Sequence, residues 1–251
     1  MLFHSLTFLG FFVMVLGLYW LLFHQRIRAQ NVLLLFASYV FYGWWDWRFL
    51  GLIILSSAVD YRVGIALDRA EGAARKRWLW LSVLVNLGVL GFFKYYNFFI
   101  DSWVEAWAWL GIEFHLSTLL IILPVGISFY TLQTLTYTID RYRNQVETVR
   151  DPIAFFAFVA FFPQLVAGPI ERASNLLPQF FQARTLTLAQ AHQGLRWILW
   201  GLFTKIVVAD SLAPYVDAAY AEPASYGGLT YIWATVLFAF QIYGDFAGYS
   251  L

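Results

Sequence analysis

The feature that most constrains this chain is a succession of long apolar runs, separated by segments that hold most of the charge. A transmembrane helix needs about 20 apolar residues to cross roughly 30 Å of hydrocarbon. Several runs reach this length, and only 12% of the residues are charged, against about 25% in soluble domains. We therefore predict an all-α polytopic membrane protein. The apolar runs occupy residues 2–23, 32–59, 78–99, 118–139, 153–168, 195–209 and 229–246.

Two other properties exclude classes of function. The net charge is only +1, and the basic residues are scattered rather than clustered beside exposed aromatic residues, which excludes nucleic-acid binding. The chain has no cysteine, so disulfides, thiolate metal sites and a cysteine nucleophile are excluded as well. We expect no metal site. The first apolar stretch, Leu6 to Phe23, is too long for the core of a cleaved signal peptide and is interpreted as a retained span.

Two apolar runs are interrupted. Asp46 and Arg48, in the string GWWDWR, divide the run from 32 to 59 into two helices that join at a membrane interface. The run from 153 has only ten residues before Pro163, about 15 Å of helix, which is half of a crossing. A re-entrant or interfacial element is therefore expected at about 153–170. A surface turn and a short amphipathic helix are expected along the interface at about 172–194.

The loop charges predict the topology, because basic residues are retained on the cytoplasmic side of the membrane. Four segments hold twelve of the 16 Lys and Arg residues, and two hold none. Seven crossings with an external N-terminus place the four basic segments inside. No repeat or linker divides the chain, so residues 1–251 are predicted to form a single membrane domain. The basic segments are 24–31, 60–77, 140–152 and 169–194, and the segments without basic residues are 100–117 and 210–228.

The clearest functional signal is a pair of strings, LPVGISFYTLQTLTYTIDRYR and FFPQLVAGPIER, which interrupt lipid-like sequence with proline, glycine and polar residues. Broken backbone at membrane depth is tolerated where it is buried in protein or lines a cavity. We expect a polar funnel here, although a simple helix end before Glu171 explains part of the second string. The residues that break the backbone are Pro124, Gly126, Pro163, Gly168 and Pro169.

These strings, followed in order by GLFTKIVVAD and IYGDFAGYS, resemble the membrane-bound O-acyltransferases. The resemblance is closest to the bacterial branch that acetylates alginate and related exopolysaccharides. It implies a ring of helices around a tunnel in the bacterial inner membrane. It also implies transfer of an acetyl group from a cytoplasmic thioester, such as acetyl-CoA, to an exported polysaccharide or an external partner acyltransferase. No permanently bound cofactor is expected.

The resemblance further implies a catalytic histidine that lies C-terminal to the DFAGYS-like string and hence beyond Leu251. The chain is expected to match only the N-terminal half of the family pattern and to be inactive alone. No catalytic residue is therefore assigned. Of the histidines present, His4, His24 and His115 lie at span ends or in a loop, and His192 is only a weak fallback.

The residues that match the family strings are predicted to line the tunnel. Ser128, Gln133 and Tyr137 recur at helical spacing, and hydrogen bonds between helices explain them equally well. Arg141 and Arg143 could attract a phosphorylated donor, or could be ordinary loop charges. The predicted tunnel-lining residues are Ser128, Tyr130, Gln133, Tyr137, Asp140, Gln164, Arg172, Asp245 and Tyr249.

Asp245 lies in an apolar run, where an acidic residue is functional by default. Lys205 is its candidate partner, and snorkelling toward the membrane surface is the alternative for that lysine.

Two other interpretations stay open. A secondary transporter also builds its site from broken helices, but it predicts breaks at corresponding positions of two halves, whereas these breaks lie in neighbouring segments. The chain could also be an inactive fragment, or half of a site that a second chain completes.

Overall fold

The computed structural model describes residues 3–109, 123–165, 168–169, 171–222 and 224–250. All regular elements in these ranges are helical, as predicted, and short 3₁₀ or π-helical turns extend several of them. The helices are α1 (Leu6–Gly17), α2 (Ile27–Asp46), α3 (Leu50–Arg69), α4 (Gly72–Trp109), α5 (Ile127–Tyr142), α6 (Pro152–Val159), α7 (Phe162–Leu165), α8 (Ala173–Leu176), α9 (Leu188–Leu202), α10 (Asp210–Ala221) and α11 (Gly228–Ser250).

The predicted interruption at GWWDWR is confirmed. Helices α2 and α3 have 20 residues each, about 30 Å at 1.5 Å per residue. A short 3₁₀ turn, Trp47–Phe49, joins them. In this turn the Asp46 carboxylate accepts hydrogen bonds from the Arg48 backbone amide at 3.0 Å and from its guanidinium at 2.6 Å. The two charges that interrupt the run thus pair with each other and close the turn.

Two segments that were predicted to be loops between spans, 60–77 and 210–228, are mostly helical. The segment 60–77 is helical except at residues 70 and 71, because α3 continues to Arg69 and α4 begins at Gly72. Most of the segment 210–228 is also helical, since α10 continues from α9 through a π-helical stretch, Phe203–Ala209. Both segments are rich in alanine, and the segment 60–77 also contains several arginines, all residues with high helix propensity. Charged residues therefore show where an apolar run ends, but the helix can continue through them.

The chain is a membrane protein, and the residues that the structure describes contain three helical stretches long and apolar enough to cross a bilayer. These stretches are Ile27–Arg69, Gly72–Trp109 and Leu188–Ala221. The first stretch contains the α2–α3 turn and the third contains the π-helical segment. Seven crossings and an external N-terminus stay predictions.

The chain divides into two compact units. The larger unit comprises Val15–Val166 and Ile170–Ala183, and the smaller unit comprises Met1–Met14, Ala167–Pro169 and Arg184–Leu251. A single membrane domain stays a prediction.

Helix α6 forms the centre of the larger unit. Its residues Ala154, Phe155, Ala157 and Phe158 are completely buried, and α2, α3 and α5 contact it. With eight residues, α6 is about 12 Å long. A re-entrant placement stays a prediction, and most of the residues of α6 are buried in protein.

Candidate functional site

The break at Gly126 meets the segment that follows Pro163, within the larger unit. Gly126 is the N-cap of α5 and has a φ of +76°, in the left-handed region that favours glycine. A Cβ atom at this position would lie 2.7 Å from the Leu165 carbonyl oxygen, at the end of α7. The start of α5 is thus in direct backbone contact with the second broken segment.

Side chains of other helices satisfy backbone groups around the second break. The Phe162 amide donates to Ser38 Oγ on α2 at 3.1 Å. Gln133 on α5 donates through Nε2 to the Phe158 carbonyl oxygen at 3.2 Å. Each unpaired group in an apolar interior would cost free energy, so these bonds allow the helix to break there. Gln133 makes the helix-to-helix contact that was the alternative to tunnel lining.

Two predicted tyrosines are also enclosed in the core of the larger unit. Tyr137 is completely buried, and its hydroxyl accepts a hydrogen bond from the Val149 amide at 3.3 Å. Its ring lies so close to Gly64 on α3 that any Cβ there would clash. The Tyr130 ring packs edge-to-face on Tyr42, with centroids 6.4 Å apart. Both rings pack α5 tightly against its neighbours.

The predicted site residues fall into two groups. Tyr130, Gln133, Tyr137 and Gln164 are buried in the larger unit, whereas Asp245 and Tyr249 lie on α11 of the smaller unit. A tunnel-lining role stays a prediction for all of them. Of the others, Ser128 and Asp140 are half-buried on α5, Arg172 and Arg143 are exposed, Pro124 and Gly168 are buried, and Pro169 is exposed.

Arg141 has a structural contact at the end of α5. Its guanidinium pairs with Asp68 of α3 at 2.8 Å, and only 12% of its side chain is exposed. Asp68 also pairs with Arg150 at 3.2 Å. Attraction of a donor by Arg141 and Arg143 is untested, and in this structure the charge of Arg141 is already matched by a carboxylate.

Arg75, in the first turns of α4, joins the ends of two other helices. Its guanidinium donates to the carbonyl oxygens of Leu67 at 3.1 Å, Arg141 at 3.0 Å and Tyr142 at 2.8 Å, and to Asn144 Oδ1 at 2.6 Å. The last carbonyls of a helix lack partners within the helix. Arg75 therefore caps α3 and α5 together, a role that sequence reasoning missed.

A buried polar network lies where α3, α4 and α5 meet, and sequence reasoning missed it too. Asp60 is completely buried and accepts hydrogen bonds from Ser82 Oγ and from Asn86 Nδ2, the latter at 2.8 Å. Asn86 Oδ1 accepts from Ser56 Oγ at 2.6 Å and from Thr134 Oγ1 at 3.2 Å. The network fixes the register of the three helices, because its bonds join side chains of α3 to α4 and of α4 to α5.

The sequence does contain a signal for this network. Ser56 and Asp60 are four residues apart, as are Ser82 and Asn86, which places each pair on one face of its helix. The signal was lost because residue 60 was assigned to a loop. An acidic residue in a continuous helix would have indicated a buried contact.

The smaller unit confirms that Lys205 contacts Asp245. Lys205 Nζ lies 2.6 Å from Asp245 Oδ1 and 2.6 Å from Asp210 Oδ1. Two glycines of α11 allow the approach, since a Cβ on Gly248 would lie 2.9 Å from Lys205 Cβ, and one on Gly244 would lie 3.2 Å from Ala209 Cβ. This spacing of small residues is a familiar packing motif of membrane helices. The string GDFAG is thus explained by packing and by an ion pair.

None of the histidines that the structure describes is buried: His4, His24 and His192 are exposed. His115 lies outside the described residues. Exposure does not support His192 as a catalytic base, because a base deep in a tunnel would be enclosed.

Curated proteins resemble the chain over nearly its whole length. It is 42% identical to the "Probable alginate O-acetylase AlgI" of Azotobacter vinelandii and 41% identical to that of Pseudomonas aeruginosa, each over 100% of the chain. It is 34% identical to the "Peptidoglycan O-acetyltransferase" of Helicobacter pylori over 96% of the chain. The chain spans about half the length of these relatives, between 48% and 50%. No protein-family model matches the chain.

Proposed function

Because the chain belongs to the membrane-bound O-acyltransferase family and corresponds to the N-terminal half of its relatives, we propose that it is part of a membrane O-acetyltransferase. The observation that carries this proposal is the similarity to proteins named for two acetyl transfers, one to alginate and one to peptidoglycan. Both acceptors are carbohydrate polymers with free hydroxyl groups. We propose an exported polysaccharide such as alginate as the acceptor.

The proposed reaction moves an acetyl group from a thioester, such as acetyl-CoA, to a hydroxyl oxygen. The C–S bond of the thioester breaks, a C–O bond forms, and a base takes the hydroxyl proton and passes it to the departing thiolate. We place the donor on the cytoplasmic side of the inner membrane, and the acceptor or a partner acyltransferase on the external side. The base that takes the proton is proposed to lie in the half of the relatives that this chain does not match.

The residues of the larger unit would serve as the frame of the site. The contact of Gly126 with the second break and the bond from Gln133 to Phe158 hold two broken segments at one position. A rigid frame matters because catalytic groups must be held within a fraction of an ångström of the productive geometry. We propose that Ser128 and Gln164, near these breaks, face the acyl group.

A chimera tests the proposal. The matching half of the Azotobacter vinelandii relative is replaced by this chain, and the chimera is expressed in a strain that lacks its own alginate O-acetylase. Restored acetyl content of the secreted alginate supports the proposal, and the 251-residue chain alone is expected to restore none. A chimera that reaches the membrane at the level of the intact relative, yet yields unacetylated alginate, contradicts it. The intact relative is the positive control.

A further inference from the structure

Helix α9 of the smaller unit presents a groove that the proposed function does not use. The groove has a volume of about 1060 Å³. Its polar lining residues are His192, Gln193 and Arg196, and its aromatic lining residues are Trp197, Trp200 and Phe203. Most residues of α9 are exposed. The groove thus combines one strongly basic side chain with three exposed aromatic rings.

The spacing gathers these side chains on one face. His192, Arg196 and Trp200 follow each other at intervals of four residues, so they lie above one another on the helix surface. Trp200 stacks on Phe203, with ring centroids 5.5 Å apart and an interplanar angle of 23°. One end of the groove therefore offers hydrogen-bond donors, and the other end offers a flat apolar surface.

The surrounding sequence is one-sided in charge. No Asp or Glu occurs between Glu171 and Asp210, whereas Arg172, Arg184, Arg196 and Lys205 all fall in this interval. An arginine on a largely apolar helix needs an anion or water for its guanidinium. With no carboxylate nearby in sequence, the complementary charge has to come from outside this segment.

The length of the helical stretch places Arg196 at a membrane boundary. Leu188–Ala221 has 34 residues, about 51 Å, whereas the hydrocarbon layer is about 30 Å thick. If the excess is shared equally, about 10 Å of each end extends into the headgroup layers. Arg196 lies about 12 Å from the start of α9. Tryptophan side chains prefer this boundary, and Trp197 follows Arg196 directly in the sequence.

We infer that this groove binds the headgroup of an anionic phospholipid. The Arg196 guanidinium would hold the phosphate with two parallel hydrogen bonds, which arginine geometry favours. His192 and Gln193 would add donors, and the acyl chains would lie along Trp200 and Phe203. This inference does not depend on the proposed acetyl transfer, since it concerns how the chain sits in the bilayer.

Native mass spectrometry of the 251-residue chain in detergent micelles tests the inference. The chain is titrated with phosphatidylglycerol and, separately, with phosphatidylcholine of the same acyl composition, and an apparent Kd is measured for each lipid. We expect tighter binding of phosphatidylglycerol. Arg196→Gln is expected to weaken it about five-fold, the effect of losing one basic residue at an anionic surface. Arg196→Lys keeps the charge but not the planar guanidinium, so its Kd for phosphatidylglycerol should lie between those of the unaltered chain and of Arg196→Gln.

The matched control is Arg62→Gln, which removes one positive charge from an exposed position of the larger unit. An unchanged Kd for this variant, beside the loss in Arg196→Gln, supports a specific site. An equal loss in both variants overturns the inference, because it shows attraction by general charge only. Displacement of phosphatidylglycerol by coenzyme A also overturns it, since the groove would then take a soluble phosphorylated ligand. Thermal unfolding confirms that each variant is folded.

Discussion

Replacement of Asp60 by alanine is expected to weaken the junction of α3, α4 and α5. The change removes the acceptor for Ser82 Oγ and for Asn86 Nδ2, and both donors are buried. Hydrogen bonds between membrane helices contribute about 0.6 to 1.7 kcal/mol each. Asn86 keeps its bond to the Ser82 carbonyl oxygen at 3.0 Å, which limits the loss. Two lost bonds therefore predict a decrease of about 2 kcal/mol in the free energy of unfolding.

The assay is denaturant-induced unfolding in mixed micelles, followed by the fluorescence of the 12 tryptophans. Asp101→Ala is the matched control, because Asp101 is exposed on α4, and its unfolding midpoint should not change. The double variant with Asn86→Ala should lose less than the sum of the single variants, since both remove the same bond. An Asp60→Ala variant as stable as the control, or strictly additive losses, would refute a network at this junction.

Three further perturbations test other contacts. Gly126→Ala should destabilise the larger unit by about 2 kcal/mol or more, because the left-handed backbone is strained for alanine and the added Cβ meets a carbonyl. Thermal unfolding checks this. The control is Gly91→Ala, in open space on α4, which should leave the stability unchanged or raise it slightly, because alanine favours the helix. Arg75→Lys keeps the charge but loses most of the bonds to the three helix-end carbonyls and to Asn144, and should lower the free energy of unfolding by about 2 kcal/mol. A loss below about 0.5 kcal/mol, as is usual for surface substitutions, contradicts the capping role. Lys205→Asp and Asp245→Lys should each lower the free energy of unfolding. The double variant, in which the two charges are exchanged, should be about 1 kcal/mol more stable than the sum of the two single losses predicts. Strictly additive losses in denaturant unfolding would show that the two residues are not coupled.

Local sequence was sufficient for the class of fold and for the places where helices break. Apolar runs predict membrane helices because hydrocarbon penalises polar groups. Proline and glycine act within one or two residues of themselves, so the breaks at Gly126 and Pro163 could be recognised without tertiary contacts. The contact between Lys205 and Asp245 was also expected, since two opposite charges in apolar surroundings favour pairing. The family was recognisable because its strings are local and stand in a fixed order.

Helix extents were less accessible from the sequence. The segments 60–77 and 210–228 were interpreted as loops because they interrupt the apolar runs, yet most of their residues belong to helices. Long arginine and lysine side chains can stay on a helix and reach a partner or water. Arg75 shows this, because its charge caps two helix ends rather than lying in a loop.

The sequence by itself determined the membrane class, the breaks and the relationship to O-acyltransferases, because these depend on residue type and on short-range spacing. Only the tertiary structure decided what the polar residues do. It joined Asp60 to Asn86 and set Gly126 against the second break, over separations of 26 and 39 residues along the chain. Such contacts depend on which helices become neighbours, and that is set by the packing of whole helices rather than by any local pattern.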